Sequence, residues 1–341
     1  EIRTMIDAGE YFTINRARQY GKTTILRALT DFLKRDYIVV SMDFQRIGAS
    51  KFKTENIFSA TFARDFIKKA EAGKQLPAEV LMPLKKMLEE QENRIELYEL
   101  FSCLTEICAK AGKPVVLIID EVDSASNNQV FLDFLAQLRA CYLDRDTTPT
   151  FWSVILAGVY DIRNIRQKIR SDAEHKMNSP WNIAAKFQVD MSFSAQEIAG
   201  MLKEYEADYH TGMDIEKISQ MIYAYTSGYP YLVSCLCKNM DEEVAGTEKF
   251  PDKSCAWTQA GFIEAVKLLI NDNNTLFQSL TGKLADYPEL KNVVYELLFT
   301  GRPIPYVPQN QYIDIALFMV KYSPASIIVL ISSNLGFSAT I

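Results

Sequence analysis

Hydrophobic residues in the first half of the chain form short continuous runs, separated by amphipathic stretches. Four runs are rich in β-branched and aromatic side chains and predict buried strands. They are residues 10–15, 37–44, 114–120 and 151–159. The stretches between them show helical spacing, at 23–35, 55–110 and 128–144, with a charged break near 89–94. Continuous apolar strands that alternate with helices indicate an α/β fold, with a parallel sheet covered by helices on both faces.

The pattern changes after about residue 192, where short amphipathic helices replace the strands. Three such helices are predicted at 194–209, 214–228 and 229–244. Ser194 and Glu197 have the spacing of a capping box at the start of the first one. The polar, proline-containing stretch 245–258 predicts a linker. Helical patterns follow at 258–270 and 289–299, and a turn, a short strand and a helix are predicted over 301–317.

The composition is that of an ordinary globular protein. The chain has 341 residues, 48% hydrophobic and 23% charged, and its length suggests about two to three domains. No apolar run reaches the ~18 residues of a membrane span, so we expect no membrane partner. The net charge of -6 argues against a globally basic nucleic-acid binder. No signal peptide is recognisable in the sequence. The chain begins with Glu1 rather than Met, which suggests that it starts inside a longer gene.

Cysteine and histidine usage bears on metal sites and on the compartment. There are six cysteines with no CxxC pair and only two histidines, which argues against a zinc site. Cysteines within apolar patterns, such as Cys235 and Cys237 in "YLVSCLCK", predict buried thiols. Buried thiols without disulfides are typical of a reducing compartment, so a cytoplasmic location is expected.

The stretch "NRARQYGKTT", residues 15–24, lies between the first predicted strand and a helix. Gly-Lys-Thr in this position is how a phosphate-binding loop ends, because backbone N–H groups at a helix N-terminus point at an anion. Lys22 would reach the β- and γ-phosphates and Thr23 would bind Mg²⁺, while Gly21 would let the backbone approach. The loop pattern requires a glycine where Arg16 stands. The alternative is that Lys22 and Thr23 are only a polar helix start.

Two adjacent acids end the predicted strand in "VVLIIDEVD". Asp120 would hold the metal, and Glu121 would orient and deprotonate the attacking water. A solvated turn at a strand end is the alternative, which Asp123 and the serines after it also suit. The order of the motifs favours a nucleotide site, because the strand with the two acids follows the loop, and "SVILAGVYD" predicts a further buried strand after it.

Five segments resemble the bacterial AAA-ATPase-like family, within the AAA+/STAND-related P-loop ATPases and near the archaeal-type ATPases. They are "YFTINRARQYGKTT", "VVLIIDEVD", "SVILAGVYDIRN", "NSPWNIAAKFQVDMSFSAQEIAGML" and "YTSGYPYLVSCLCK", and the resemblance spans about residues 5–315. The family's loop often lacks the first glycine, so Arg16 matches a family variant. Family members commonly carry a C-terminal PD-(D/E)xK nuclease-like domain, and this chain ends before any such domain.

The resemblance implies a P-loop ATPase core over 1–192, a helical lid over 193–250 and a winged-helix-like module over 251–320. The tail, 321–341, is either an altered gene end or a buried C-terminal strand. The nucleotide-binding residues implied are Arg18, Gln19, Tyr20, Gly21, Lys22, Thr23 and Thr24. Gly228 and Pro230 would shape the turn into a lid helix, unless they are a plain helix start.

The resemblance also implies roles for an aromatic residue and several arginines. Trp181 would pack the core against the lid. Arg16 and Arg18 would add charge beside the phosphates, or else are solvated. One of three arginines would be an arginine finger towards a neighbouring subunit of a homo-oligomer, unless the three form a solvated face. They are Arg163, Arg166 and Arg170.

These features predict an enzyme that binds ATP with Mg²⁺ and hydrolyses it, coupled to conformational change. One alternative is a STAND-type switch or scaffold that binds ATP and hydrolyses it slowly or not at all. Another is a small-molecule kinase. The partner, by analogy, would be a protein or a nucleic acid. DNA binding by the last module has weak support, because its cations form no stripe. They include Lys267, Lys283, Lys291 and Arg302.

Overall fold

The structure is a computed structural model, and it describes residues 1–16, 19–91, 94–125, 128–159, 181–271 and 288–296. These residues fall into two compact units. One is drawn from Glu1–Arg18 and Lys22–Asp190, and the other from Gln19–Gly21 and Met191–Ile341. The predictions for residues 301–317 and for the tail lie outside the described residues. The assignment of the parts as core, lid and winged-helix-like module stays a prediction.

The first unit is built on a four-stranded parallel sheet, as predicted. Its strands are β1 (Tyr11–Asn15), β2 (Ile38–Asp43), β3 (Val115–Asp120) and β4 (Ser153–Gly158), in the order β1-β4-β3-β2. Every residue of β3 and β4 is buried, because helices cover both faces of a parallel sheet. The four predicted strands are therefore confirmed, with ends that differ by one or two residues.

The strand register brings four chain positions to one edge of the sheet. Asn15 at the end of β1 is paired with Gly158 at the end of β4, and Asp43 at the end of β2 is paired with Asp120 at the end of β3. Ligands of open parallel sheets bind outside this carboxyl edge. The sheet thus presents a glycine, an amide and two carboxylates where such a ligand would sit.

Helices surround the sheet of the first unit. They are α1 (Ile2–Asp7), α2 (Lys22–Leu33), α3 (Glu55–Gly73), α4 (Met82–Gln91), α5 (Leu97–Lys110) and α6 (Gln129–Leu143). The Thr54 hydroxyl caps α3 by accepting a hydrogen bond from the N–H of Ile57 at 3.3 Å. Glu96 and Glu99 form a capping box at the start of α5, just after the predicted charged break.

A group of phenylalanines forms the centre of the core between the sheet and helices α3 and α6. The Phe44 ring lies 6.0–6.5 Å, between centroids, from four other buried rings, mostly edge to face. These rings belong to Phe52, Phe58, Phe62 and Phe131. Aromatic pairs in this arrangement stabilise a core beyond the burial of their area. The sheet that carries the candidate site therefore has a rigid support.

The second unit is helical among its described residues. It contains α7 (Ala195–Tyr209), α8 (Ile215–Thr226), α9 (Pro230–Lys238), α10 (Lys253–Ala256), α11 (Gln259–Asn271) and α12 (Pro288–Tyr295). A π-helical turn, Asn239–Val244, continues α9. The predicted capping box is confirmed: the Ser194 hydroxyl accepts from the Glu197 N–H at 3.2 Å, and the Glu197 carboxylate accepts from the Ser194 N–H at 2.8 Å.

The predicted linker over 245–258 is only partly correct. The short helix α10 lies within it and is capped by Asp252, which accepts a hydrogen bond from the Cys255 N–H at 2.9 Å. Trp257 follows and is almost fully buried. The cap and two buried aromatic residues, Phe250 and Trp257, help to order this stretch, although it lacks an apolar period.

Helix α9 begins after a tight turn. Pro230 occupies its first turn, and Gly228 has a φ of +73°. The Gly228 carbonyl accepts a hydrogen bond from the Phe193 N–H at 2.8 Å. This pair of residues therefore shapes the start of a helix, and the identity of that helix as part of a lid stays a prediction.

All six cysteines are free thiols, and each is partly rather than fully buried. Burial raises the pKa of Cys108 and of Cys237 to about 12.

Within the described ranges, no helix combines the length and the apolar character needed to cross a bilayer.

Candidate functional site

Lys22 is the first residue of α2 and lies directly after the loop that leaves β1. Its side chain is buried, and its ammonium donates a hydrogen bond to the carbonyl of Arg16 at 3.0 Å. A buried ammonium is costly unless hydrogen bonds or charges compensate it. The loop backbone therefore helps to hold this cation in place.

Thr23 connects the loop to the end of β3. Its hydroxyl donates to the Oδ2 atom of Asp120 at 2.7 Å, across 97 positions of sequence. The other carboxylate oxygen, Oδ1, accepts from the N–H of Glu121 at 2.9 Å. Asp120 is only 6% exposed, so these two bonds orient a buried carboxylate. The structure thus brings the two predicted metal-binding residues together.

Glu121 lies in the left-handed region, with φ 55° and ψ 42°. Few residues other than glycine adopt this conformation, and it marks a strained or functional position. A 3₁₀ turn follows, in which Ser124 donates its hydroxyl to the carbonyls of Glu121 and Phe44, each at 2.9 Å. The chain therefore does turn after Glu121, as the alternative predicted. Asp120 itself is buried, however, and does not belong to a solvated turn.

Asp123 connects this turn to the end of β4. Its carboxylate accepts a hydrogen bond from the backbone N–H of Val159. A Cβ atom on Gly158 would lie 2.9 Å from Asp123 Oδ2, so glycine lets the carboxylate approach without a shift of either residue. The sequence interpretation missed this role and noted only that Asp123 suits the alternative of a solvated turn. Its only local signal is an acid three residues after the strand.

The middle of the loop, Gln19–Gly21, has an unusual backbone. Gln19 and Gly21 both have positive φ, 59° and 75°. Nothing lies within 4 Å of an added Cβ at Gly21, so glycine is favoured there for its conformation. Positive φ angles of this kind form concave arrangements of N–H groups that bind anions.

Tyr20 is buried between these two residues. Its ring packs edge-on against Tyr229, with 4.7 Å between centroids, and its hydroxyl shares a hydrogen bond with the Ser192 hydroxyl. Because the Tyr20 side chain makes these contacts, its predicted role in nucleotide binding would fall to its backbone. That role stays a prediction. Thr24 is exposed on α2, and Arg18 lies outside the described residues.

Arg16 is partly buried. Its guanidinium donates to the carbonyls of Val189 at 2.6 Å and of Asn15 at 2.8 Å, and it lies over the Phe187 ring. The alternative of a solvated loop arginine does not hold for Arg16, because these carbonyls and the ring take the place of water. Trp181 is fully buried, and its indole N–H donates to the Thr13 hydroxyl at 2.9 Å.

The three arginines considered as fingers lie outside the described residues. They are Arg163, Arg166 and Arg170.

The donor set fits a hard divalent cation. Mg²⁺ prefers oxygen ligands, and proteins often supply only one or two of them, while phosphates and water supply the rest. The Thr23 hydroxyl and the Asp120 carboxylate are two such oxygens, already in contact. In the described part of the chain, no three His, Cys, Asp or Glu side chains cluster as a metal cage. The residues present therefore suit Mg²⁺ that arrives with a polyphosphate.

Comparison with solved structures gives distant likenesses. The ORC2 protein of Aeropyrum pernix in its ADP form is 13% identical, with a TM-score of 0.47, and the match covers 98% of this chain and 82% of that chain. The Aeropyrum pernix ORC1 protein in complex with DNA is 8% identical, with a TM-score of 0.41 and coverages of 96% and 87%. A comparison with curated proteins returned no match.

Comparison with family profiles gives an extensive match. The profile of the family described as the AAA-like domain matches residues 2–259. This range includes the loop at 15–24, all four strands, and helices α1 to α10. The match covers well over half of the chain. The protein therefore belongs to the AAA-like domain family.

Proposed function

We propose that this protein binds ATP together with Mg²⁺ and hydrolyses the bond between the β- and γ-phosphates. One observation carries the proposal. The Thr23 hydroxyl, at the end of a strand-to-helix loop, is 2.7 Å from the buried Asp120 carboxylate at the end of β3. Membership of the AAA-like family supports nucleotide binding as the common property of the fold.

Lys22 is the cation for the phosphates. Its ammonium lies at the N-terminus of α2, where the helix dipole also favours negative charge. In a buried position each interaction with a phosphate oxygen is stronger than it is in water. We expect Lys22 to contact the β- and γ-phosphates and to stabilise the charge that develops between them.

Glu121 is the base that orients and deprotonates the attacking water. It is the residue after the buried Asp120, and its left-handed backbone turns the chain at the carboxyl edge of the sheet. Thr23 and Asp120 would hold the metal. When bound, Mg²⁺ would neutralise phosphate charge and so favour attack on the γ-phosphorus.

Steady-state ATP hydrolysis with Mg²⁺, measured beside nucleotide binding, tests the proposal. Wild type is expected to turn over. Glu121→Gln keeps the shape of the side chain but removes its basicity, so it should bind ATP and lose about a hundredfold or more in kcat. Lys22→Ala should weaken ATP binding by at least about tenfold, because it removes charge-assisted hydrogen bonds. Lys34→Ala, an exposed lysine that pairs with Asp31, is the matched control and should leave both quantities unchanged.

Three outcomes would contradict the proposal, and the first is a wild type that binds no ATP. If wild type binds ATP and none of the proteins turns over, an ATP-gated switch that acts on a protein or nucleic-acid partner replaces the hydrolase. Transfer of the γ-phosphate to a small molecule in a substrate screen would instead identify a kinase.

A further inference from the structure

Arg16 stands where a phosphate-binding loop usually has its first glycine. Its side chain is not directed into solvent. Two of its nitrogens donate to the carbonyls of Val189 and Asn15, at 2.6 and 2.8 Å, and the guanidinium lies 5.3 Å from the centroid of the Phe187 ring. The contacts are therefore those of an anchor and not of a surface ion pair.

The backbone of Arg16 is held on both sides. Its N–H donates to the carbonyl of Gly158 at the end of β4, at 3.1 Å. Its own carbonyl accepts the hydrogen bond from the Lys22 ammonium, at 3.0 Å. The position of the Lys22 cation thus depends on the peptide of Arg16, and that peptide depends on the anchored side chain.

We propose that Arg16 is a positioning residue for the phosphate site, acting through Lys22, in place of the usual glycine. The inference rests on the proposed function, because it assumes that Lys22 binds phosphate. Arginine is suited to this role because its planar guanidinium presents several donors in fixed directions and can serve two carbonyls and a ring at once. Lysine keeps the charge but offers a single nitrogen as donor. Glycine has neither a charge nor a donor in its side chain.

The test compares Arg16→Gly, which restores the usual loop residue, with Arg16→Lys. Arg139→Lys is the matched control, because Arg139 on α6 is also partly buried, and like Arg16 it has a buried Nε atom with no hydrogen-bond partner in the described part of the chain. Two quantities are measured on each folded protein, well below its melting temperature. One is the Kd for ATP with Mg²⁺, by calorimetry. The other is amide hydrogen exchange of residues 187–190 without nucleotide.

Both Arg16 variants should weaken ATP binding by on the order of tenfold, and Arg139→Lys should leave the Kd unchanged. Amides of residues 187–190 should exchange faster in Arg16→Gly than in wild type. A merely structural role would lower the melting temperature without changing the Kd of the folded protein. The inference is overturned if Arg16→Gly binds ATP as tightly as wild type, or if Arg16→Lys matches wild type while Arg16→Gly does not, because charge alone would then be sufficient.

The failure of the proposed function has a different signature. If only hydrolysis fails, wild type still binds ATP and the comparison of Kd values stands. If ATP binding itself fails, wild type binds no ATP, whatever the Arg16 variants do. Exchange of residues 187–190 still judges the anchor in that case. An unchanged rate in Arg16→Gly contradicts the inference independently of nucleotide, and a faster rate supports the anchoring on which it depends.

Discussion

At the scale of single residues, Gly228 shows how a backbone position can admit only one amino acid. Its φ of +73° is unfavourable for any residue with a side chain. A Cβ atom there would also lie 1.8 Å from the carbonyl oxygen of Phe193. The neighbouring backbone would have to move, because no flexible side chain can give way.

Replacing Gly228 by alanine is therefore expected to lower the free energy of unfolding by about 3 kcal/mol or more. Gly246 is the matched control: its φ is +84°, but nothing lies within 4 Å of an added Cβ. Gly246→Ala should cost only about 1 kcal/mol, the conformational part alone. Chemical denaturation of both variants measures the difference, and equal losses would show that the contact with Phe193 is not restrictive.

The sequence predicts some residues of the candidate site and not others. Lys22, Thr23 and Asp120 can be found because their spacing from a strand and a helix is a local pattern. Asp123 and Arg16 cannot, because their partners, Val159 and Val189, lie far along the chain. The direction of a side chain depends on packing that no local pattern encodes.

At the scale of elements, a polar network joins α7, the π-helical turn and α10. Asp241 accepts hydrogen bonds from Tyr205 and from Lys253, the latter at 2.7 Å. The Tyr205 hydroxyl also accepts from Lys253 at 3.3 Å and from the Trp257 indole at 3.2 Å. Burial acts to raise the pKa of Asp241, but the bonds from Lys253 and Tyr205 outweigh it, so the pKa is lowered.

A lowered carboxyl pKa predicts a definite pH dependence. The ionised Asp241 stabilises the folded state above its unfolded pKa of about 4, and this stabilisation is lost as the pH falls through the lower folded pKa. Asp241→Asn should therefore cost about 1.5–3 kcal/mol at pH 7, and the difference from wild type should shrink below pH ~4. Denaturation series at several pH values measure this, with the exposed Asp208 of α7 changed to Asn as a control. A cost independent of pH would mean that the charge of Asp241 is irrelevant.

Elements are predictable from the sequence to the extent that their period is long enough to recognise. The four buried strands and the longer helices follow from continuous or periodic apolar residues. Helix α10 has only four residues and no period, so the sequence predicts a linker there. The π-helical turn after α9 likewise has no apolar signature that separates it from an ordinary helix.

At the scale of the whole molecule, alternation of strands and helices predicts a parallel sheet, but not the order of its strands. The order β1-β4-β3-β2 places β1 beside β4, a pairing between residues more than a hundred positions apart, such as Asn15 and Gly158. This order brings the loop after β1 and the acids after β3 to the same edge. The proposed ATPase depends on that convergence, and its first requirement is binding of ATP with Mg²⁺.

The most direct test of that requirement is calorimetric titration of ATP, with and without Mg²⁺, into wild type and Thr23→Val. Valine keeps the shape of threonine but removes the hydroxyl that bonds to Asp120. Thr30→Val, on the same helix, removes a hydroxyl that bonds to the Leu26 carbonyl and serves as the control. Wild type and Thr30→Val should bind ATP, and Mg²⁺ should tighten binding by about tenfold or more. Thr23→Val should lose this Mg²⁺ dependence, whereas a wild type that binds no ATP, or binds it equally with and without Mg²⁺, would contradict the assignment.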